Sequence, residues 1–178
     1  MKKNILLLSV LAGLFLMASC SKTIYFTQDM RQNLTKNYLS IDKIQFYNSK
    51  KIVLRRNLSY AETKVARGKI NFENGQYVEK IIIPKKTPGV AVGEGKDYIN
   101  VAFEDGPHRF LKFVLNDKNE YQLSAEKWVQ GYGKIKYDTL SYYIEPESSN
   151  AVLKVIRNDN YNLQKNTRRL KGRTVSGH

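Results

Sequence analysis

The chain has 178 residues, with 30 Lys and Arg against 16 Asp and Glu, for a formal net charge of +14. That length is the natural content of one domain. A single cysteine excludes an intrachain disulfide and any multi-thiolate metal site, and only two histidines are present.

Lys2 and Lys3 open the chain and Ile5 to Met17 follows as an apolar run. As a helix this run would rise about 1.5 Å per residue, roughly 20 Å in all, short of a bilayer core of about 30 Å. A basic start, a short apolar stretch and small residues at Ala18 and Ser19 are the pattern of a cleaved export leader. The segment Met17-Ala18-Ser19-Cys20 resembles the bacterial lipobox, with Met17 where Leu is usual. The resemblance implies that residues 1–19 are a signal peptide and that Cys20, as the new N-terminus, carries a diacylglycerol thioether and an amide-linked acyl chain such as palmitate. More than one chain anchors a protein stably, whereas a single one holds only marginally. By the same resemblance Ser21, where Asp would retain a lipoprotein in the inner membrane, points to the outer membrane. No acid precedes Asp29, which favours the periplasmic face. The chain looks like a small envelope lipoprotein of the Bacteroidota type.

Removing 19 residues leaves 159, and the loss of Lys2 and Lys3 leaves 28 basic residues against 16 acids, a net +12. A basic protein of this kind in the cytosol would first suggest nucleic acid. Export removes that partner and leaves lipid head groups, lipopolysaccharide phosphates and other envelope proteins.

In the mature chain, Asp29 reads as a helix N-cap with Gln32 three residues on, as in a capping box. Met30, Leu34, Tyr38 and Ile41 fall along one helical face. A short helix over Asp29 to Leu39 is therefore expected, within an N-terminal region of residues 20–40. From Ile41 the texture becomes that of strands. Ile44 and Phe46, a turn at Asn48-Ser49-Lys50, and Ile52-Val53-Leu54 read as a hairpin. Asn74-Gly75 between Ile70–Phe72 and Tyr77–Ile83 is the strongest short hairpin signal in the chain. Strands are expected near Tyr98–Phe103, Phe110–Leu115, Tyr121–Leu123, Lys134–Tyr137, Tyr143–Ile144 and Ala151–Ile156. Seven to nine short strands with turn residues between them predict a mainly β fold, a single antiparallel β-sandwich or barrel-like domain over residues 41–157 with a short N-terminal helix. Residues 158–178 form a basic polar tail.

No catalytic, cofactor or metal signature emerges. Gly89 and Gly95-Lys96 miss phosphate-loop spacing by one residue, and Asp97 stands where Ser or Thr would hold Mg²⁺. The Gly89–Asp97 stretch is expected to be a mobile β-loop and a docking contact. His108 lies in a turn, with no Gly-x-Ser-x-Gly elbow in the chain, and Glu104-Asp105 and Glu145-Pro146-Glu147 read as solvated acids at turns. Trp128, Tyr132 and Tyr137 lie in an aromatic stretch around Gly131 and Gly133. They either stack on a glycan or lipid ligand or, as at Trp128, plug the core. Arg168, Arg169, Lys171 and Arg173 are candidates for contact with an anionic membrane surface. The expected function is non-enzymatic: a lipid-anchored envelope protein, attached to the membrane through Cys20, that docks other envelope proteins. The alternative is a glycan- or lipid-binding module.

Overall fold

A computed structural model describes residues 22–59 and 69–157. In chain order the elements are β1 (Thr23–Tyr25), α1 (Gln28–Lys36), β2 (Gln45–Asn48), β3 (Ile52–Leu58), β4 (Lys69–Glu73), β5 (Gln76–Ile83), β6 (Pro88–Gly95), β7 (Tyr98–Ala102), β8 (Phe110–Leu115), β9 (Tyr121–Leu123), β10 (Lys127–Val129), β11 (Tyr132–Tyr137), β12 (Leu140–Ile144) and β13 (Leu153–Ile156). They form two antiparallel sheets: a seven-stranded sheet in the order β1-β13-β2-β6-β7-β8-β9, and a six-stranded sheet in the order β10-β11-β12-β3-β5-β4. The sheets pack face to face around one core, and the mainly β sandwich expected from alternation is the fold observed. The seven-stranded sheet also curls. Bridges between Thr27 and Glu120 and between Gln122 and Val152 tie its two margins together, and the Leu123 N–H donates to Ala151 O at 2.8 Å.

Alternation positions the core. On β11, Gly133, Ile135 and Tyr137 are buried while Tyr132, Lys134 and Lys136 face out. Phe26, Phe46 and Tyr121 meet at the centre, with ring centroids 5.0 Å and 5.7 Å from Phe26. Each fully buried ring of this size contributes about 1.5–3 kcal/mol of apolar transfer.

Helix α1 packs on this core through Met30 and Leu34, one turn apart and both buried. Its N-cap is Thr27 rather than Asp29: the Thr27 hydroxyl oxygen accepts from the Met30 N–H at 3.3 Å. Asp29 lies inside the first turn, where its charge complements the helix dipole. The helix also ends before Leu39. Asn37 caps it, and Tyr38, at φ 57°, turns the chain away and stands 97% exposed instead of joining the buried face.

Two further expectations are corrected. β2 and β3 are not a hairpin. β2 pairs with β13 and β6, whereas β3 pairs with β5 and β12, so the Ser49–Lys51 turn carries the chain from one sheet to the other. Buried Asn48 fixes this corner, donating to Lys50 O at 2.6 Å and Pro84 O at 2.7 Å. The glycine-rich Gly89–Asp97 stretch is not a loop either. It forms β6, which pairs with β2 over Pro88 to Val90 and with β7 from Val90 to Gly95, with a register shift between Ala91 and Gly93. Only Lys96 and Asp97 turn. Gly89 is there for packing: a Cβ on it would lie 2.7 Å from Val101 and 2.8 Å from Phe103. The Asn74-Gly75 hairpin forms as expected, with both residues at positive φ and Glu73 opposite Gln76. Among the described residues, no helix is long and apolar enough to cross a membrane.

Candidate functional site

The inward positions of β3 are Ile52, Leu54, Arg56 and Leu58; those of β5 are Tyr77, Glu79, Ile81 and Ile83. Both strands break their apolar alternation at the same register, where Arg56 faces Glu79. The break is a built ion pair. Arg56 donates from Nε at 3.2 Å and from Nη2 at 2.8 Å to Glu79 Oε2, and Tyr142 on β12 donates to the same oxygen at 3.0 Å. The Glu79 side chain is 1% exposed and that of Arg56 13%. The guanidinium also lies 5.6 Å from the Tyr142 ring centroid. A buried carboxylate needs this support, because a charge removed from water is tolerated only when paired and hydrogen-bonded.

A second polar group stands beside the first. Tyr137, at the end of β11, donates its hydroxyl to Glu104 Oε1 at 2.8 Å. Arg109 reaches Asp138 Oδ2 at 3.1 Å and stands with Nε 4.0 Å from Glu104 Oε1. The β7–β8 loop thus meets the β11–β12 turn, and the Asp138 N–H donates to His108 O at 3.0 Å. Tyr137 and Tyr142 join the two groups edge to face, with centroids 6.2 Å apart. Three residues here hold left-handed backbone: His108 at φ 59°, Asp138 at 48° and Thr139 at 69°. For a β-branched threonine this conformation is strained, and such strain persists only where the surroundings enforce it.

Between the two groups lies a cleft of about 510 Å³, walled also by Lys80, Ile82 and Leu140. That is within the usual range of small-molecule sites, about 300–1,000 Å³. Its electrostatics are fixed by pairing. Burial, and then the charge of Glu79, push the Tyr142 hydroxyl up to about 12. Burial, and then the hydrogen bond to Glu104, raise Tyr137 as well. Both phenols are therefore neutral donors near neutral pH. Burial works against the charge of Arg56, but Glu79 and Tyr142 outweigh it and raise its pKa. The hydrogen bond that Arg109 donates to Asp138 raises its own pKa.

The structure separates the aromatic residues picked out in the sequence. Tyr137 is buried and lines the cleft. Trp128 and Tyr132 do not line it. They lie at the β10 margin of the six-stranded sheet, Trp128 opposite Gly133 and 40% exposed, Tyr132 37% exposed. Trp128 is thus no core plug, and the three rings make no common platform. His108 is exposed in its loop. Glu104, read as a solvated acid, borders the cleft, and Glu145 lies 3.6 Å from Lys80. Cys20, Arg168, Arg169, Lys171 and Arg173 lie outside the described residues. The cleft itself was missed because its charged residues stand on four separate chain segments. One signal was present: Arg56 and Glu79 both occupy inward positions of otherwise apolar strands. Comparison of the chain with protein-family models, curated proteins and solved structures gives no match.

Proposed function

We propose that the chain is a non-enzymatic, lipid-anchored envelope protein, held in the outer membrane through Cys20 with its β domain on the periplasmic face, where it docks other envelope proteins. One observation supports this reading most directly. β1 pairs antiparallel with β13, and the Arg157 N–H donates to Lys22 O at 2.9 Å. Cys20 is two residues before Lys22, and the run Arg168, Arg169, Lys171 and Arg173 starts 168 − 157 = 11 residues after Arg157. The two ends of the described chain, one leading to the lipid site and the other to the basic run, therefore leave the domain side by side. A membrane that takes the acyl chains is within reach of the basic groups, each worth roughly 1 kcal/mol near an anionic surface. Each interaction reinforces the other by proximity.

The test is metabolic labelling with an alkyne palmitate, in parallel for the natural chain and Cys20→Ala, followed by envelope fractionation and pull-down. A labelled natural chain in the outer-membrane fraction and an unlabelled variant are expected, with discrete envelope proteins co-purifying. An unlabelled, freely soluble natural chain would remove the anchor. A labelled chain with no partner would remove the docking role and leave the cleft as the working surface.

A further inference from the structure

We infer that the cleft between the Arg56–Glu79–Tyr142 group and the Glu104–Arg109 loop binds an uncharged, hydroxyl-rich small molecule of the carbohydrate class. The inference is independent of the lipid anchor and of docking.

Charge is the first reason. The chain carries +14, yet the charged groups walling the cleft balance: Arg56, Lys80 and Arg109 against Glu79, Glu104 and Asp138. Each cation already has an acid. Arg56 holds Glu79, Arg109 holds Asp138, and Lys80 lies 2.7 Å from Glu73, outside the cleft. A ligand with a net charge of either sign would meet a like charge as close as its partner. A neutral polar ligand meets only fixed dipoles.

The second reason is the pairing of unspent donor and acceptor capacity. The Arg109 side chain is 22% exposed and has five N–H donors, of which it uses Nη1 on Asp105 O and Nη2 on Asp138 Oδ2, both at 3.1 Å; its Nε, buried and without a hydrogen bond, stands 4.0 Å from Glu104 Oε1. Glu104 is 48% exposed and accepts one hydrogen bond, from Tyr137. A carboxylate has about four lone-pair sites. A donor and an acceptor side by side suit a hydroxyl, which accepts from one and donates to the other. A carboxylate or phosphate oxygen would satisfy Arg109 but face Glu104; an ammonium would do the reverse.

The third reason is preorganisation. Glu79 is held by Arg56 and Tyr142, Tyr137 and Tyr142 brace each other, and the strained Asp138–Thr139 turn is pinned to the neighbouring loop. Polar groups that are already ordered lose little freedom when a ligand arrives. Exposed Leu140, at 40%, offers an apolar wall at the mouth for the C–H face of a sugar ring.

The experiment uses the full chain as purified from the envelope, in dodecylphosphocholine micelles, since a sugar-headed detergent would compete. Amide chemical shifts are followed during titration with uncharged mono- and disaccharides (glucose, N-acetylglucosamine, maltose). Glucose 6-phosphate and glucosamine serve as charged counterparts. At least one neutral sugar should saturate shifts at Glu104, Arg109 and Asp138, and each charged counterpart should bind more weakly. Glu104→Gln, at an exposed position that spares the fold, should weaken neutral-sugar binding about tenfold, the effect of losing a charge-assisted hydrogen bond. Tyr137→Phe, which removes the bond ordering Glu104, should weaken it less. The inference is overturned by no saturable shift with any neutral sugar, by shifts confined to other surfaces, by tighter binding of a charged counterpart, or by unchanged affinity in Glu104→Gln.

Discussion

Replacing Arg56 with Met tests whether the interior of the six-stranded sheet depends on its ion pair. Met fills much of the arginine's volume but leaves the Glu79 carboxylate, 1% exposed, without its cation. Breaking a buried pair from one side costs about 3–5 kcal/mol. Tyr142 still donates to Glu79 at 3.0 Å, so the lower end, about 3 kcal/mol, is expected. With a urea dependence of about 2 kcal/mol per molar, the unfolding midpoint should fall by about 1.5 M. Tyr142→Phe alone should cost about 1–2 kcal/mol, from one hydrogen bond to a charged acceptor. The double variant Arg56→Met with Glu79→Leu removes both charges and should recover to within about 1–2 kcal/mol of the natural chain. Urea unfolding followed by tryptophan fluorescence from Trp128 and by circular dichroism reads all four proteins. A loss below about 1 kcal/mol for Arg56→Met would match a solvent-exposed pair. It would mean that water reaches Glu79, and the account of a dry, preformed cleft floor would fail.

Thr27→Ala should lower stability by about 1 kcal/mol, because it removes the hydroxyl that caps α1. Asp29→Ala should cost clearly less, and the reverse order in urea unfolding would return the cap to Asp29. Gly89→Ala should cost about 1–3 kcal/mol, because its Cβ would press on Val101 and Phe103 at 2.7–2.8 Å; an unchanged urea midpoint would mean that the strand is not packed there. The raised pKa of Tyr142, about 12, against about 10 in the unfolded chain, gives a sign to the alkaline response. The folded state holds the phenolic proton more tightly, so this contribution is fully present below about pH 10 and is lost as pH rises towards 12. Midpoints measured across that window should fall, and Tyr142→Phe should flatten the fall; a slope unaltered by the variant would contradict it.

Local chemistry made some of the fold legible and long-range pairing hid the rest. Asn74-Gly75 announced its hairpin because few other dipeptides take two positive φ angles in succession. Lys134 to Tyr137 announced β11 because a half-buried strand must alternate. The Asn48-Ser49-Lys50 turn was legible as a turn, but no local feature separates a turn within one sheet from a corner between two. The Gly89–Gly95 stretch read as a loop because glycine weakens strands on average; in β6 close packing against Val101 and Phe103 overrides that tendency. At the N-terminus of α1, Asp29 and Thr27 are both good caps, and the geometry chose the threonine. Among the cleft residues, Arg109, Glu104 and Asp138 look like ordinary surface charge until the β7–β8 loop is placed against the β11–β12 turn.

The pairing of β1 with β13 also has a kinetic consequence. The first strand of the domain has its strand partner at the opposite end of the sequence, so it must wait for almost the whole chain before it can be fixed. Contacts this distant in sequence form slowly. For a polypeptide that crosses a membrane N-terminus first, as the lipobox reading requires, the residues following Cys20 stay extended and unpaired until translocation is nearly complete. On that reading, the enzymes that lipidate and cut at such a cysteine would meet an unpaired strand rather than a finished sheet.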